Sequence, residues 1–269
     1  MKHFYIAIAF ALTVTAYAAS SEPRRAGALV APAAHAAAAQ ENNGLPERDV
    51  INKTFQLDPN ARVEVSGIAG SVTVETTGGG TAEVEIVRMA QTPRELRCYE
   101  TVVRGTSDSL TVRHNQFSNL PGCNSIRSRQ QVTLRVPRTV ELALSTIGGS
   151  VDIGAVDGIV RLSNIAGHVN LAQAQAAEIS SLANGLTMSL AQVSDRGVRI
   201  HGVVGVIDLS LARDVNAELR LNSVNGGVRS NAPDINLTQS GGSYRARAGA
   251  GGALISISGV NGSVRLKRS

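Results

Sequence analysis

From Val140 onward the chain repeats itself, and the repeat limits what it can fold into. Val140-Glu141-Leu142-Ala143-Leu144 leads to Ile147, and Gly149-Ser150-Val151-Asp152-Ile153 leads to Val156. Gly158-Ile159-Val160-Arg161-Leu162 leads to Ile165, and Gly167-His168-Val169-Asn170-Leu171 follows. Each unit runs apolar, variable, apolar, two variable, apolar, and a new unit begins nine residues on. Alternation within a unit is the two-residue period of a strand with one buried face. Small residues at the junctions allow the chain to turn there.

The pattern resumes with small slips of frame. It returns at Ala177, Ile179, Met188 and Leu190, again at Val198, Ile200, Val203, Ile207 and Leu209, then at Leu219, Leu221, Val224 and Val228. A last pair carries Ile255, Ile257, Val260, Val264 and Leu266, and an early one carries Val63, Val65, Ile68, Val72 and Val74. Pair starts at 140, 158, 177, 196 and 217 advance by 18, 19, 19 and 21 residues, which suits one turn of a coil made of two rungs. A strand this short cannot bury its apolar face or satisfy its edges alone. Stacking turns about 4.8 Å apart does both. A β-sandwich also uses regular short strands, but its hairpins join longer antiparallel strands through tight turns. The expected fold is all-β: a single-stranded parallel β-helix, or β-solenoid, in which Val160, Ile179 and Val198 share one aliphatic column.

The segment Leu134-Arg135-Val136-Pro137, followed by Val140 to Leu144 and the Gly-x-Val-x-Ile repeats, resembles a bacterial β-strand-repeat family of unknown function labelled putative adhesin (DUF4097). Ala61 to Val74 and Leu110-Thr111-Val112-Arg113 also fit its pattern, so the resemblance spans roughly residues 46–269. It rests on repeats rather than on a catalytic signature. It implies an exported or envelope-facing parallel β-helix with no established enzymatic role. Cys98 and Cys123 are not counted among the family's features.

Residues 1–18 read as a signal peptide: Lys2, an apolar run from Phe4 to Val14, then Ala16-Tyr17-Ala18 as the cleavage site. The run is too short for the ~20 residues that a membrane-spanning helix needs. No later stretch reaches that length, so no transmembrane segment is expected. Residues 19–45, rich in Ala and Pro, read as a flexible spacer. Residues 46–269 are assigned to the solenoid domain, with an irregular section over 81–135 and regular rungs over 140–230 and 253–266. The irregular section, with strands at Ala82 to Ile86, Cys98 to Val102 and Leu110 to Val112, is expected to cover the N-terminal end.

Export places Cys98 and Cys123 in an oxidising compartment, where the expectation is a disulfide across their 25-residue separation. A metal site is the other reading, but His114 alone lies between them and a tetrahedral set would be incomplete.

Aromatic residues make up only 3% of the chain, with no Trp, and the formal net charge is +5. That removes the stacking platforms of single-strand nucleic-acid binders, and no basic cluster marks a nucleic-acid partner. Positions facing outward from the rungs hold Glu141, Asp152, Arg161, His168, Asn170, Glu178, Arg199, Asp208, Glu218, Arg220 and Arg229. Glu178, Arg199 and Glu218 are expected to stack as a ladder of alternating charge. A solvated face is the plain reading. A binding strip through Arg161, Arg199, Arg220 and Arg229 is the sharper one.

Asp152 and Asp208 should stand about 10–15 Å apart at ~4.8 Å per strand, too far for a glycosidase pair. His168 and His201 fall in different frames, no G-x-S-x-G elbow occurs, and the glycine pairs at corners lack a following helix. No catalytic residue, metal or cofactor is assigned. The functional expectation is an exported, non-enzymatic envelope or surface module that acts through an unknown envelope protein or polymer. Alternatives are binding of anionic or sugar polymers through the arginines and, less favoured, a polysaccharide-acting enzyme. The last rung, Val264 to Leu266, ends close to Ser269, so it is expected to offer an open edge for edge-to-edge self-association.

Overall fold

The computed structural model describes residues 44–116, 121, 123 and 126–269. The leader and all but the last two residues of the spacer lie outside the described residues. The described chain is β-structure throughout apart from one helical turn.

The first strands are β1 (Glu47–Gln56), β2 (Arg62–Ser66), β3 (Gly70–Thr77) and β4 (Thr81–Ala90). The helical turn α1 (Pro93–Leu96) follows, with Thr92 as its N-cap, and then β5 (Tyr99–Gly105), β6 (Ser109–Gln116) and β7 (Ser128–Pro137). The repeats form β8 (Glu141–Ile147), β9 (Val151–Ala155), β10 (Ile159–Ile165), β11 (Val169–Gln173), β12 (Ala176–Leu182) and β13 (Leu186–Leu190). They continue as β14 (Val198–Val204), β15 (Ile207–Leu211), β16 (Ala217–Val224) and β17 (Val228–Ser230). The chain finishes with β18 (Thr238–Ser240), β19 (Ser243–Ala248), β20 (Ala253–Asn261) and β21 (Val264–Arg268).

These strands make two large, mostly parallel sheets, and from β8 to β17 consecutive strands alternate between them. In one sheet, here called B, β6, β2, β8, β10, β12, β14, β20 and β16 are parallel neighbours. In the other, sheet A, β7, β3, β9, β11, β13, β15, β21 and β17 follow in the corresponding order. The register aligns the repeat positions: Val160 faces Leu142 and Ala177, and Ala177 faces Val198. Ile179 lies one column over, between Leu162 and Ile200. All of these side chains are buried in one aliphatic core fed by both sheets.

The two variable positions before the third apolar residue have a backbone cause. Thr146, Asn164, Ser181 and Ser223 have φ of 56°, 54°, 56° and 54°. Gly67, just after β2, and Gly202 and Gly259, in β14 and β20, hold the same place at 74°, 68° and 64°. One left-handed residue breaks the two-residue alternation, so that after two outward side chains Ile147, Ile165 or Leu182 points inward again. Hydrogen bonds continue round these corners, from Ala166 N to Ile147 O at 2.9 Å and from Ala183 N to Ile165 O at 3.0 Å. Another corner brings backbones so close that a Cβ at Gly167 would overlap the Gly149 carbonyl.

The ends of the stack depart from chain order. At one end β2 and β3 lie inside β6 and β7. At the other, β20 and β21 lie inside β16 and β17. The expectation of an open C-terminal rung is therefore corrected. Val264 faces Ile207 on one side and Val228 on the other, so β21 is covered on both sides from Val264 to Leu266. The outermost strands there are the three-residue β17 and β18.

Residues 231–252, where the repeat fades, include a hairpin. Gly241 and Gly242, at φ of 55° and 79°, join β18 to β19, which runs antiparallel to β16. Positive φ at both central positions is the turn geometry that matches strand twist. At the opposite end β4 adds antiparallel to β7 and β1 antiparallel to β4, and β5 adds antiparallel to β6.

Candidate functional site

The outward side of sheet B carries two aligned rows of polar side chains. One runs Glu64, Ala143, Arg161, Glu178, Arg199, Ser256, Arg220, Arg245. The next runs Ser66, Ser145, Ser163, Ser180, His201, Ser258, Asn222, Ser243 along the same strands. Each row exists because every unit contributes one residue at a fixed place in a parallel register.

Charge along the first row alternates at first. Arg161 contacts Glu141 at 3.2 Å and Glu178 at 3.3 Å, and Arg199 reaches Glu178 at 3.7 Å. Arg196 adds a contact to Glu141 at 3.5 Å. These exposed pairs are each worth ~0–1 kcal/mol. Arg161, Glu178 and Arg199 line a shallow groove of about 410 Å³ together with His201, whose Nδ1 lies 3.1 Å from Ser258 Oγ.

Of the expected ladder, Glu178 and Arg199 are neighbours. Glu218 is not in their row: it sits opposite Leu254, two residues along β16 from the row's Arg220. The inserted β20 places Ser256 between Arg199 and Arg220. Arg229 lies on β17 in the other sheet, where its neighbour is Arg265. Three of the four arginines marked from sequence therefore share a face, and Arg229 does not.

Beyond Arg220 the alternation stops. Arg220 faces Arg245 directly across β16 and β19, and Arg247 faces Glu218. A second groove of about 400 Å³ is lined there by Glu218, Arg220, Asn236, Thr238, Arg245 and Arg247. Arg220 contacts Glu218 at 3.6 Å. Among the described residues no carboxylate pairs with Arg245 or Arg247. The sequence reading missed both because it assigned no strand to their segment; Ser240-Gly241-Gly242-Ser243, a hairpin signature, was the available signal.

The remaining candidates do not converge. Asp152 and Asp208 share a row of sheet A but are separated by Asn170 and Thr187. Asp208 is held by Arg265 at 3.7 Å. His168, beside β11 in sheet A, contacts Asn184 O and Thr187 Oγ1, each at 3.1 Å, while His201 belongs to sheet B. Asp157 pairs with Arg138 at 3.4 Å. Among the described residues no group of three or more His, Cys, Asp or Glu is placed to hold a metal, and no helix is long and apolar enough to cross a membrane.

Cys98 and Cys123 are joined, with a Cα–Cα distance of 5.4 Å, and both are buried. The bond ties the start of β5 to the segment leading into β7, far along the stack from the arginine groove.

No family model matches the chain, and no curated protein does. Several solved structures are similar to it. One is a putative cell adhesion protein from Clostridium sporogenes, 11% identical, with a TM-score of 0.43 over 83% of this chain and 100% of that one. A putative adhesin from Bacteroides fragilis is 10% identical over 83% of this chain and 99% of its own, with a TM-score of 0.30. A putative lipid binding protein from Parabacteroides distasonis is 9% identical over 82% and 97%, with a TM-score of 0.22.

Proposed function

We propose that this chain is an exported β-solenoid of the DUF4097 type that acts without catalysis, as an adhesin-like interaction module of the cell envelope. The observation that carries the reading is the outward side of sheet B. There, parallel register sets polar and charged side chains from successive strands into continuous rows. Such a surface offers repeated, evenly spaced contacts to an extended partner. It offers little enclosure to a small substrate: Glu64, Glu141, Glu178 and Glu218 on it are each engaged by arginine.

Export is supported by the disulfide, since such bonds persist in oxidising compartments. Covering both ends of the stack with short or antiparallel strands suits a module that must remain soluble beside other surfaces. The test is a pull-down from envelope extract with the purified mature protein, compared with a variant carrying Arg161→Ser, Arg199→Ser and Arg220→Ser. Capture of envelope material by the parent and its loss in the variant is the expected result. Equal capture by both would remove sheet B's face from the account.

A further inference from the structure

The two grooves on sheet B differ in one respect that the repeat does not explain. Along Arg161, Glu178 and Arg199 each cation has an anion beside it. At Arg220 and Arg245 two guanidinium groups stand on directly opposed residues of adjacent antiparallel strands. Like charges in that position destabilise a sheet. Arg247 adds a third cation to the same groove, and only Glu218 opposes them within it. The arrangement also depends on two departures from the repeat. The hairpin of β18 and β19 supplies Arg245 and Arg247, and the inserted β20 puts Ser256 where the alternation would have placed an acid.

The geometry points to this groove as a binding site for a linear acidic polysaccharide, one carrying carboxylate or sulfate groups along its length. This deepens the reading of sheet B's face as an interaction surface and rests on it. Arg199, Ser256, Arg220 and Arg245 lie on four successive strands, so cations recur at intervals of about 5 and 10 Å across the sheet. A single small anion can use only part of that row, whereas a chain with regularly spaced charges can use all of it. Guanidinium forks match the flat two-oxygen ends of carboxylate and sulfate. Asn236 and Thr238, on the groove wall, supply hydrogen-bonding groups for sugar hydroxyls. Among the described residues no aromatic side chain lines the groove, so affinity comes from charge and hydrogen bonds rather than ring stacking. Apolar wedges for a lipid surface are scarce: among the described residues the exposed large aliphatics are Val50, Val204 and Leu254, and Leu254 sits opposite Glu218 at this groove.

The test uses the full mature, oxidised protein and measures binding to polygalacturonate, to heparin, to monomeric galacturonate and to phosphatidylglycerol vesicles over a salt titration. Two charge-matched variants are compared: Arg245→Ser/Arg247→Ser in the groove, and Arg229→Ser/Arg265→Ser outside it, on sheet A. The expected result is polymer binding that weakens as salt rises, far exceeds monomer binding, drops at least tenfold in the groove variant and changes less than threefold in the other. Melting temperatures of both variants show that the loss is not unfolding. Equal losses in the two variants would reduce the effect to net charge and overturn the groove, while the envelope pull-down decides sheet B's face separately. Loss only in the outside variant does the same. Preference for vesicles through Arg245 and Arg247, or no polymer binding at all, would overturn the assignment.

Discussion

Arg268, in the last strand, donates from Nε to the Asp234 carboxylate at 2.9 Å, although its own side chain is only 11% exposed. The same guanidinium reaches the carbonyls of Ala212 and Val215. One side chain thus holds β21 to the connection between β15 and β16 and to the segment after β17. This contact keeps Asp234 charged below the usual carboxylate range. It secures the C-terminal strand in the interior of sheet A.

Removing core from that strand should therefore cost as much as removing it from the middle of the stack. Leu266→Ala is expected to destabilise by about 2–5 kcal/mol, the range for a fully buried leucine. Arg229→Ala, on the neighbouring outermost strand, should stay within about 0.5 kcal/mol. Urea unfolding of both variants decides it.

Thr146 is a β-branched residue at φ 56°, a conformation that costs ordinary L-residues about 1–2 kcal/mol. Asn164 occupies the equivalent place one layer on with a side chain that tolerates it. Thr146→Asn should stabilise the protein by roughly 1 kcal/mol in chemical denaturation, and Gly202→Val should destabilise it by a similar amount or more.

Reduction of Cys98–Cys123 releases a 25-residue separation. Chain entropy assigns such a closure about 3 kcal/mol. The Cys98→Ala/Cys123→Ala variant should lose stability of that order, with hydrogen exchange rising in β5 and β7 while the arginine groove keeps its parent rates.

His114 is half-buried beside Tyr99, and burial, with Arg88 second, holds its pKa below the usual histidine value. The Gln130 side-chain amide lies 2.7 Å from its Nδ1. The unfolded chain binds this proton more readily than the folded one, so stability rises with pH through the window below ~6.5 and is lost as pH falls. His114→Gln should flatten that part of the profile. A slope unchanged by the substitution would assign the pH dependence elsewhere.

Much of the fold could be read from residue types alone. Val160, Leu162 and Ile165 identify an inward face and a corner, and their counterparts in the next layers align with them. Layer order could not be read that way. Ile255 and Ile257 present the same apolar pair as Leu219 and Leu221, and periodicity specifies which face is buried without specifying which neighbour covers it. β1 escaped notice because most of its residues are exposed along an edge. The arginine strip was legible only in part: alternation between sheets sends Arg229 to the other face, and the insertion of β20 breaks the charge ladder at Ser256.

Hydrogen exchange followed by NMR across β15, β18 and β21 tests the central claim, a parallel stack whose C-terminal strand is locked inside it. With Val264 between Ile207 and Val228, amides of β21 should exchange as slowly as those of β15. Those of the three-residue β18 should exchange fast. Rapid, fraying exchange at Val264 and Leu266 would contradict the insertion, and with it the surface on which the arginine groove is built.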